Sequence, residues 1–234
     1  MNTAALFRNR THAGKQLARA LAQLPGADKA IVLALPRGGV PVGFVLAREL
    51  SLPLDVVLVR KLGMPGHEEC AIGAVAQGDI RVIERAAVDS LGMSDAALEA
   101  LCARELAVIE RRARLYRGAR PPPELQERHV LLVDDGLATG ASMRAAVEAT
   151  RLCHPARVTV AVPVGARASC QALAGHVDQL VCLHQPASFR AVSEAYRQFD
   201  QTTDDEVQDL LALAWRSQRW PSPPSTVTTA RRTP

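Results

Sequence analysis

Short runs of branched aliphatic residues alternate along the chain with segments whose apolar positions recur at helical spacing, the pattern of an α/β fold with a mainly parallel sheet. Strands are predicted over residues 30–35, 54–60, 71–76, 81–84, 130–134, 157–163 and 179–183. Helical spacing over 40–50 and 142–151 makes βαβ units of the segments around them. A longer helix is predicted over 94–117, capped by Ser94 and ended by Gly118 and Pro121 to Pro123, with Leu98, Cys102, Leu106, Ile109, Ala113 and Tyr116 along one stripe. Its other face gathers Arg111, Arg112 and Arg114, either as a solvated face or as a basic rim turned to a phosphate. Two further helices, near 189–199 and 204–216, close the folded part. One domain is expected over 1–217, followed by a disordered Pro/Ser/Thr-rich tail over 218–234.

Composition narrows the class of protein. At 234 residues and 48% hydrophobic, the chain can bury one sizeable core. No apolar run is long enough for a membrane span, and the charges in MNTAALFRNRTHAGK fall where a secretory signal needs its apolar core. Cys70, Cys102, Cys153, Cys170 and Cys182 form no C-x-x-C pair, which fits a reducing compartment, so a cytoplasmic protein without structural zinc is expected. The net charge of +4 is concentrated in the tail, where Arg219, Arg231 and Arg232 stand without an acid. The folded part therefore offers no broad basic face for nucleic acid.

The chemistry is concentrated in Val-Leu-Leu-Val-Asp-Asp-Gly-Leu-Ala-Thr-Gly-Ala-Ser, residues 130–142. An apolar strand delivers Asp134 and Asp135 to the carboxyl edge of the sheet, where open α/β sheets bind ligands. Adjacent carboxylates there repel each other unless hydroxyls, a cation or a basic side chain compensates. Gly136, Thr139 and Gly140 allow a tight loop before Ser142 opens a helix, an arrangement that turns backbone N–H groups towards an anion. Carboxylates for sugar hydroxyls beside donors for a phosphate suggest a ribose 5-phosphate. A P-loop NTPase is excluded by the lack of G-x-x-x-x-G-K-[ST], and a receiver domain would begin with this strand rather than follow half the chain. A purely structural turn accounts for the glycines but not for the paired acids followed by Thr-Gly-x-Ser.

Asp134-Asp135-Gly136-Leu137-Ala138-Thr139-Gly140-Ala141-Ser142 resembles the signature of type I phosphoribosyltransferases for 5-phosphoribosyl-1-pyrophosphate (PRPP). The resemblance implies that fold, with a mainly parallel central sheet flanked by helices and a small hood from the chain termini. It assigns the ribose hydroxyls to Asp134 and Asp135 and the 5′-phosphate to Ala138, Thr139, Gly140, Ala141 and Ser142. Upstream, Leu35-Pro36-Arg37-Gly38-Gly39-Val40-Pro41-Val42-Gly43 resembles the pyrophosphate loop, which often has an unusual peptide geometry, so Arg37, Gly38 and Gly39 join the implied site. Arg60 and Lys61 are placed by the same resemblance near the pyrophosphate, before a covering loop over 63–69 that holds His67, Glu68 and Glu69. Only Lys15, Lys29 and Lys61 are lysines among 28 basic residues, which singles Lys61 out as a candidate for stabilising the leaving group.

The implied activity is transfer of phosphoribose from Mg²⁺-PRPP to a nitrogenous base or related acceptor, with Lys61, Asp134 and Asp135 as the catalytic candidates and no direct protein ligand assigned to the metal. A PRPP-sensing regulator without turnover is the other class that keeps such a loop, and family members often pair as homodimers. Ala138 stands where 6-oxopurine enzymes carry an Asp, which disfavours hypoxanthine and guanine as acceptors. Phe189, Tyr196 and Phe199 are either helix core or a stacking surface for a base. The resemblance extends over roughly residues 6–213, to a bacterial group of predicted phosphoribosyltransferases, through Phe7-x-x-Arg10-x-x-Ala13-Gly14, PRGGVPVG, VRKLGMPGHEECAIGAV and the stretch 188–207.

Overall fold

The computed structural model describes residues 5–23, 25–26, 29–64 and 67–217, apart from the side chains of 64–71. In chain order the first half carries α1 (Arg10–Leu21), β1 (Ile31–Ala34), α2 (Gly39–Glu49), β2 (Leu54–Val56), β3 (Val59–Met64), β4 (His67–Ala76) and β5 (Ile80–Ile83). The second half carries α3 (Arg85–Ser90), α4 (Asp95–Arg117), β6 (His129–Val133), α5 (Ala141–Arg151), β7 (Arg157–Val164), α6 (Arg167–Ala174), β8 (Gln179–His184) and α7 (Asp204–Ser217). Five strands form a parallel sheet in the order β2-β1-β6-β7-β8. The tail expected over 218–234 lies outside the described residues.

Alternation along the buried strands sends successive side chains to opposite faces. Val32, Ala34, Leu131 and Val133 pack with α1, α2, α4 and α7, whereas Ile31, Leu33, Val130 and Leu132 pack with α5 and α6. Both faces are thus covered, which is why these strands read as uninterrupted apolar runs. The chain leaves β1 towards β2 on one side and leaves β6 towards β7 on the other. The two connections diverge, and a crevice opens between the carboxyl ends of β1 and β6.

The apolar run 54–60, expected as one strand, is two. After β2 the chain leaves the parallel sheet, and Val59–Met64 begins a separate antiparallel sheet, β3-β4-β5. Arg117, the last residue of α4, accounts for the break: its Nη2 donates to the Val56 carbonyl at 2.5 Å and its Nε to Asp55 Oδ1 at 2.7 Å. The guanidinium occupies the edge where another strand would pair. Lys61 consequently lies within β3 rather than at a parallel strand's end. The backbone over 67–76 is also strand, so the expected covering loop is largely a hairpin arm, with residues 65–66 and the side chains of His67, Glu68 and Glu69 outside the described residues.

Residues 189–199, expected as a helix, hold only a short 3-10 turn, Val192–Ala195. Their backbone is engaged by the N-terminal segment instead: Phe7 N–H donates to the Ala195 carbonyl at 2.8 Å, and Arg197 N–H donates to Phe7 at 2.9 Å. The segment before α1 and the stretch before α7 thereby make the small hood. Ser94 caps α4 by accepting from Ala97 N–H, and the stripe Leu98, Cys102, Ile109, Ala113 and Tyr116 is buried. Helices α1, α3 and α6 were not predicted. Among the described residues no helix is long and apolar enough to cross a membrane.

The Asp55–Arg117 pair is buried, with side-chain exposures of 0% and 4%. Burial raises the Asp55 pKa despite the opposing Arg117 charge. Arg117→Met should therefore destabilise the fold by roughly 3–5 kcal/mol, because it leaves a buried carboxylate without its cation. Urea unfolding measures this. Asp55→Val in the same chain should recover most of the loss.

Candidate active site

Two loops meet in the crevice between β1 and β6. The first follows β1 and carries Pro36, Arg37, Gly38 and Gly39, with the Pro36–Arg37 peptide bond cis. The second follows β6 and opens with Asp134 and Asp135. Their approach explains the paired glycines: a Cβ on Gly38 would lie 2.1 Å from Asp135 Oδ2, and one on Gly39 would lie 2.7 Å from the Val133 carbonyl oxygen. No other residue type lets this loop rest on the acids.

The acids are held differently. Asp134 Oδ1 accepts from Asp135 N–H at 2.8 Å. Asp135 Oδ2 accepts from Nε of Arg10 at 2.8 Å, with Nη2 of the same guanidinium 2.8 Å away as an ion pair, and Tyr196 Oη donates to the Asp135 carbonyl at 2.6 Å. Burial, and then the neighbouring Asp135 charge, pushes the Asp134 pKa well above the ordinary carboxylate range. Asp135 is raised as well by burial, although Arg10 opposes the shift. Each carboxylate thus commits one oxygen to the protein, and neither Asp134 Oδ2 nor Asp135 Oδ1 has a side-chain partner among the described residues.

Beyond the acids, Leu137 N–H donates to Val164 at 2.9 Å and Ala166 N–H to Leu137 at 2.8 Å, which pins the loop to the end of β7. Gly136 lies beneath Val192 of the hood, where a Cβ would stand 2.5 Å from Cγ1. Gly140, with φ of 79°, reverses the chain so that α5 starts at Ala141 without a side-chain cap. The N–H groups of Ala138, Thr139 and Gly140 have no acceptor among the described residues. With the exposed Thr139 and Ser142 hydroxyls they form a cradle of donors at a helix N-terminus, suited to a phosphate.

A cleft of about 300 Å³ adjoins both loops, lined among others by Pro36, Arg60, Lys61, Arg112 and Ser142. Arg60 is paired with Glu105 of α4, whereas Lys61 and Arg112 make no ion pair within 4.0 Å among the described residues. Arg37 lies 4.0 Å from Asp204, whose carboxylate also accepts from Tyr116 Oη at 2.6 Å. Burial, with Asp204 second, pushes the Tyr116 phenol up to about 12. Of the basic cluster on α4, Arg112 faces the cleft, so one member of the predicted rim does border an anion-sized space. Sequence reasoning left Arg10 without a role and did not foresee that Tyr196 binds the Asp135 backbone; the only signal was the N-terminal Phe-x-x-Arg pattern.

Among the described residues no cluster of three or more His, Cys, Asp or Glu could cage a metal ion. Two acids beside an anion cradle instead fit an ion such as Mg²⁺ that keeps its waters and takes further oxygens from a bound substrate.

The raised Asp134 pKa has a sign that stability measurements can check. Between the unfolded-state value and the higher folded value, the folded chain binds more protons, so its stability falls as pH rises through that window. Asp134→Asn should raise the unfolding temperature at neutral pH, and the gain should shrink as acidification protonates the wild-type carboxyl. Thermal unfolding of both chains against pH tests this; equal midpoints at neutral pH would contradict it.

A profile of the phosphoribosyl transferase domain matches residues 8–200. Proteins from two strains of Mycobacterium tuberculosis, each described as a "putative phosphoribosyl transferase", are 44% identical over 211 residues; the match takes in 90% of this chain and 47% of theirs. The chain thus spans about half the length of those relatives. The crystal structure of TT1426 from Thermus thermophilus is 44% identical and superposes with a TM-score of 0.80, covering 88% of this chain and 97% of that one. With the strand order, the acid pair and the glycine-supported loop already seen, this chain belongs to the phosphoribosyltransferase family, with the type I fold.

Proposed function

We propose that the protein binds PRPP with Mg²⁺ in the cytoplasm and transfers its phosphoribosyl group to a nitrogenous base or related small acceptor, releasing pyrophosphate. The observation that carries this reading is the acid pair with one oxygen of each carboxylate uncommitted, beside a loop of unpaired N–H donors. Two such oxygens match the two vicinal hydroxyls of a ribose, and the donors of Ala138 to Ser142 match its 5′-phosphate.

The leaving group would lie against Arg37, Gly38 and Gly39 and extend towards the cleft that holds Arg60, Lys61 and Arg112. Departure of pyrophosphate from the anomeric carbon leaves positive charge on the ribose and adds negative charge to the departing oxygens. Lys61 and Arg112, which have no carboxylate partner among the described residues, are suited to the negative charge, and the acid pair to the ribose side. Arg60 shares its charge with Glu105, which makes its contribution the weaker one. Mg²⁺, held by substrate oxygens and water, would neutralise the diphosphate. Ala138 offers no side-chain acid or base to an acceptor, which continues to disfavour the 6-oxopurines. The hood aromatics bear on the acceptor less than the sequence suggested: Tyr196 is 5% exposed and tied to Asp135.

Calorimetry with Mg²⁺ and PRPP tests the site. Asp135→Asn combined with Thr139→Ala should weaken binding by about tenfold or more, because each change removes or weakens a hydrogen bond to an ionic or hydroxyl group. Affinity equal to wild type would refute the assignment. Turnover is tested by pyrophosphate release from PRPP across a panel of bases. Lys61→Ala should lower kcat by about 100-fold while leaving PRPP affinity within a few-fold, the mark of a group acting on the transition state. Tight PRPP binding without release for any base would favour a PRPP sensor.

A further inference from the structure

The pattern Phe7-x-x-Arg10-x-x-Ala13-Gly14 has no part in the roles above, yet Arg10 reaches Asp135 directly and the other three residues pack the elements around it. Phe7 is 1% exposed, and its ring centroid lies 5.4 Å from that of Tyr196, which in turn bonds the Asp135 carbonyl. Ala13 is buried in the same cluster. A Cβ on Gly14 would stand 2.9 Å from the Val42 carbonyl oxygen, so glycine here allows α1 to lie directly on α2, the helix that begins at Gly39. The first residue of α1 is Arg10. Helix α1 is therefore set against the helix of the glycine loop while its first side chain reaches the acid at the end of β6.

The Arg10 guanidinium is committed on every side. Nε donates to Asp135 Oδ2, Nη2 lies 2.8 Å from the same oxygen, Nη1 donates to the Asp200 carbonyl at 2.7 Å, and Cζ lies 3.9 Å from the centroid of Phe199. Its side chain is 12% exposed. Both nitrogens near the acid approach the same oxygen, the one that also faces Gly38. This contact to a single oxygen limits the turn of the carboxylate and leaves Oδ1 as the oxygen to meet a ligand.

We propose that Arg10 is a positioning residue for ribose recognition: by holding Asp135 Oδ2, and itself held by the hood through Asp200 and Phe199, it presents Asp135 Oδ1 to one hydroxyl beside the oxygen that Asp134 presents to the other. The proposal rests on the PRPP reading above and adds to it the residue that sets the orientation of the acid pair. Arg10 serves the sugar and not the phosphates, since its recorded contacts are all to protein groups and it is absent from the lining of the basic cleft.

Binding of two probes separates this role from a merely structural one. In the presence of Mg²⁺, Arg10→Ala should weaken PRPP by about 30-fold, the loss of a well-oriented bond to a charged group, and leave inorganic pyrophosphate within about twofold. Added methylguanidinium should restore part of the PRPP affinity. Arg10→Lys keeps a charge that cannot span Asp135, the Asp200 carbonyl and the Phe199 face together; it should fold even if the Ala variant does not, and should lose PRPP affinity by about tenfold. Equal losses for PRPP and pyrophosphate, or PRPP affinity unchanged in the Lys variant, would overturn the role of Arg10. Wild-type protein that binds no PRPP would overturn the function itself and, with it, this proposal.

Discussion

The site depends on one electrostatic constraint: two neighbouring carboxylates at the end of a buried strand, with glycine backbone resting on them. Left alone, Asp134 and Asp135 would share a proton, because water is scarce there and each charge raises the cost of the other. The surrounding structure answers this in three ways. A backbone N–H serves Asp134, a guanidinium serves Asp135, and Gly38 and Gly39 bring in the neighbouring loop without a side chain between.

Charge is distributed unevenly around this point. The acid pair stands in the crevice, while Lys61 and Arg112, which make no ion pair within 4.0 Å among the described residues, line the adjoining cleft. Such separation of sign across a few residues suits a reaction that creates opposite charges on two fragments of one molecule. Elsewhere charges are neutralised locally, as in the Asp55–Arg117 pair that ends the parallel sheet and the Arg60–Glu105 pair that joins β3 to α4.

What the sequence made legible was contiguous. The strand, acids, loop and helix of 129–151 follow one another without interruption, so their periodicity and turn residues specify their geometry locally. The break at Val57 and Leu58 was not legible, because the side chain that ends β2 comes from the far end of α4. Residues 189–199 carry aromatics at helical spacing but extend along Phe7, a partner that lies near the other end of the chain. Arg10 was visible as part of a pattern and silent as to role, since its meaning depends on Asp135, 125 residues away. Helices α1, α3 and α6 were missed for a simpler reason: α3 and α6 are short, and α1 mixes Thr, His, Lys and Arg among few apolar positions.

The hood gives the order of synthesis a bearing on the site. A ribosome releases the acid pair and its phosphate loop well before residues 192–200, and Arg10, made first of all, has neither the Asp200 carbonyl nor the Phe199 face to steady it until those residues follow. A nascent chain in that interval would carry the whole recognisable signature with its acids unoriented. The setting of Asp135 by Arg10 therefore matures only once residues 199–200 are in place, as a property of the closed chain and not of the motif that identifies it.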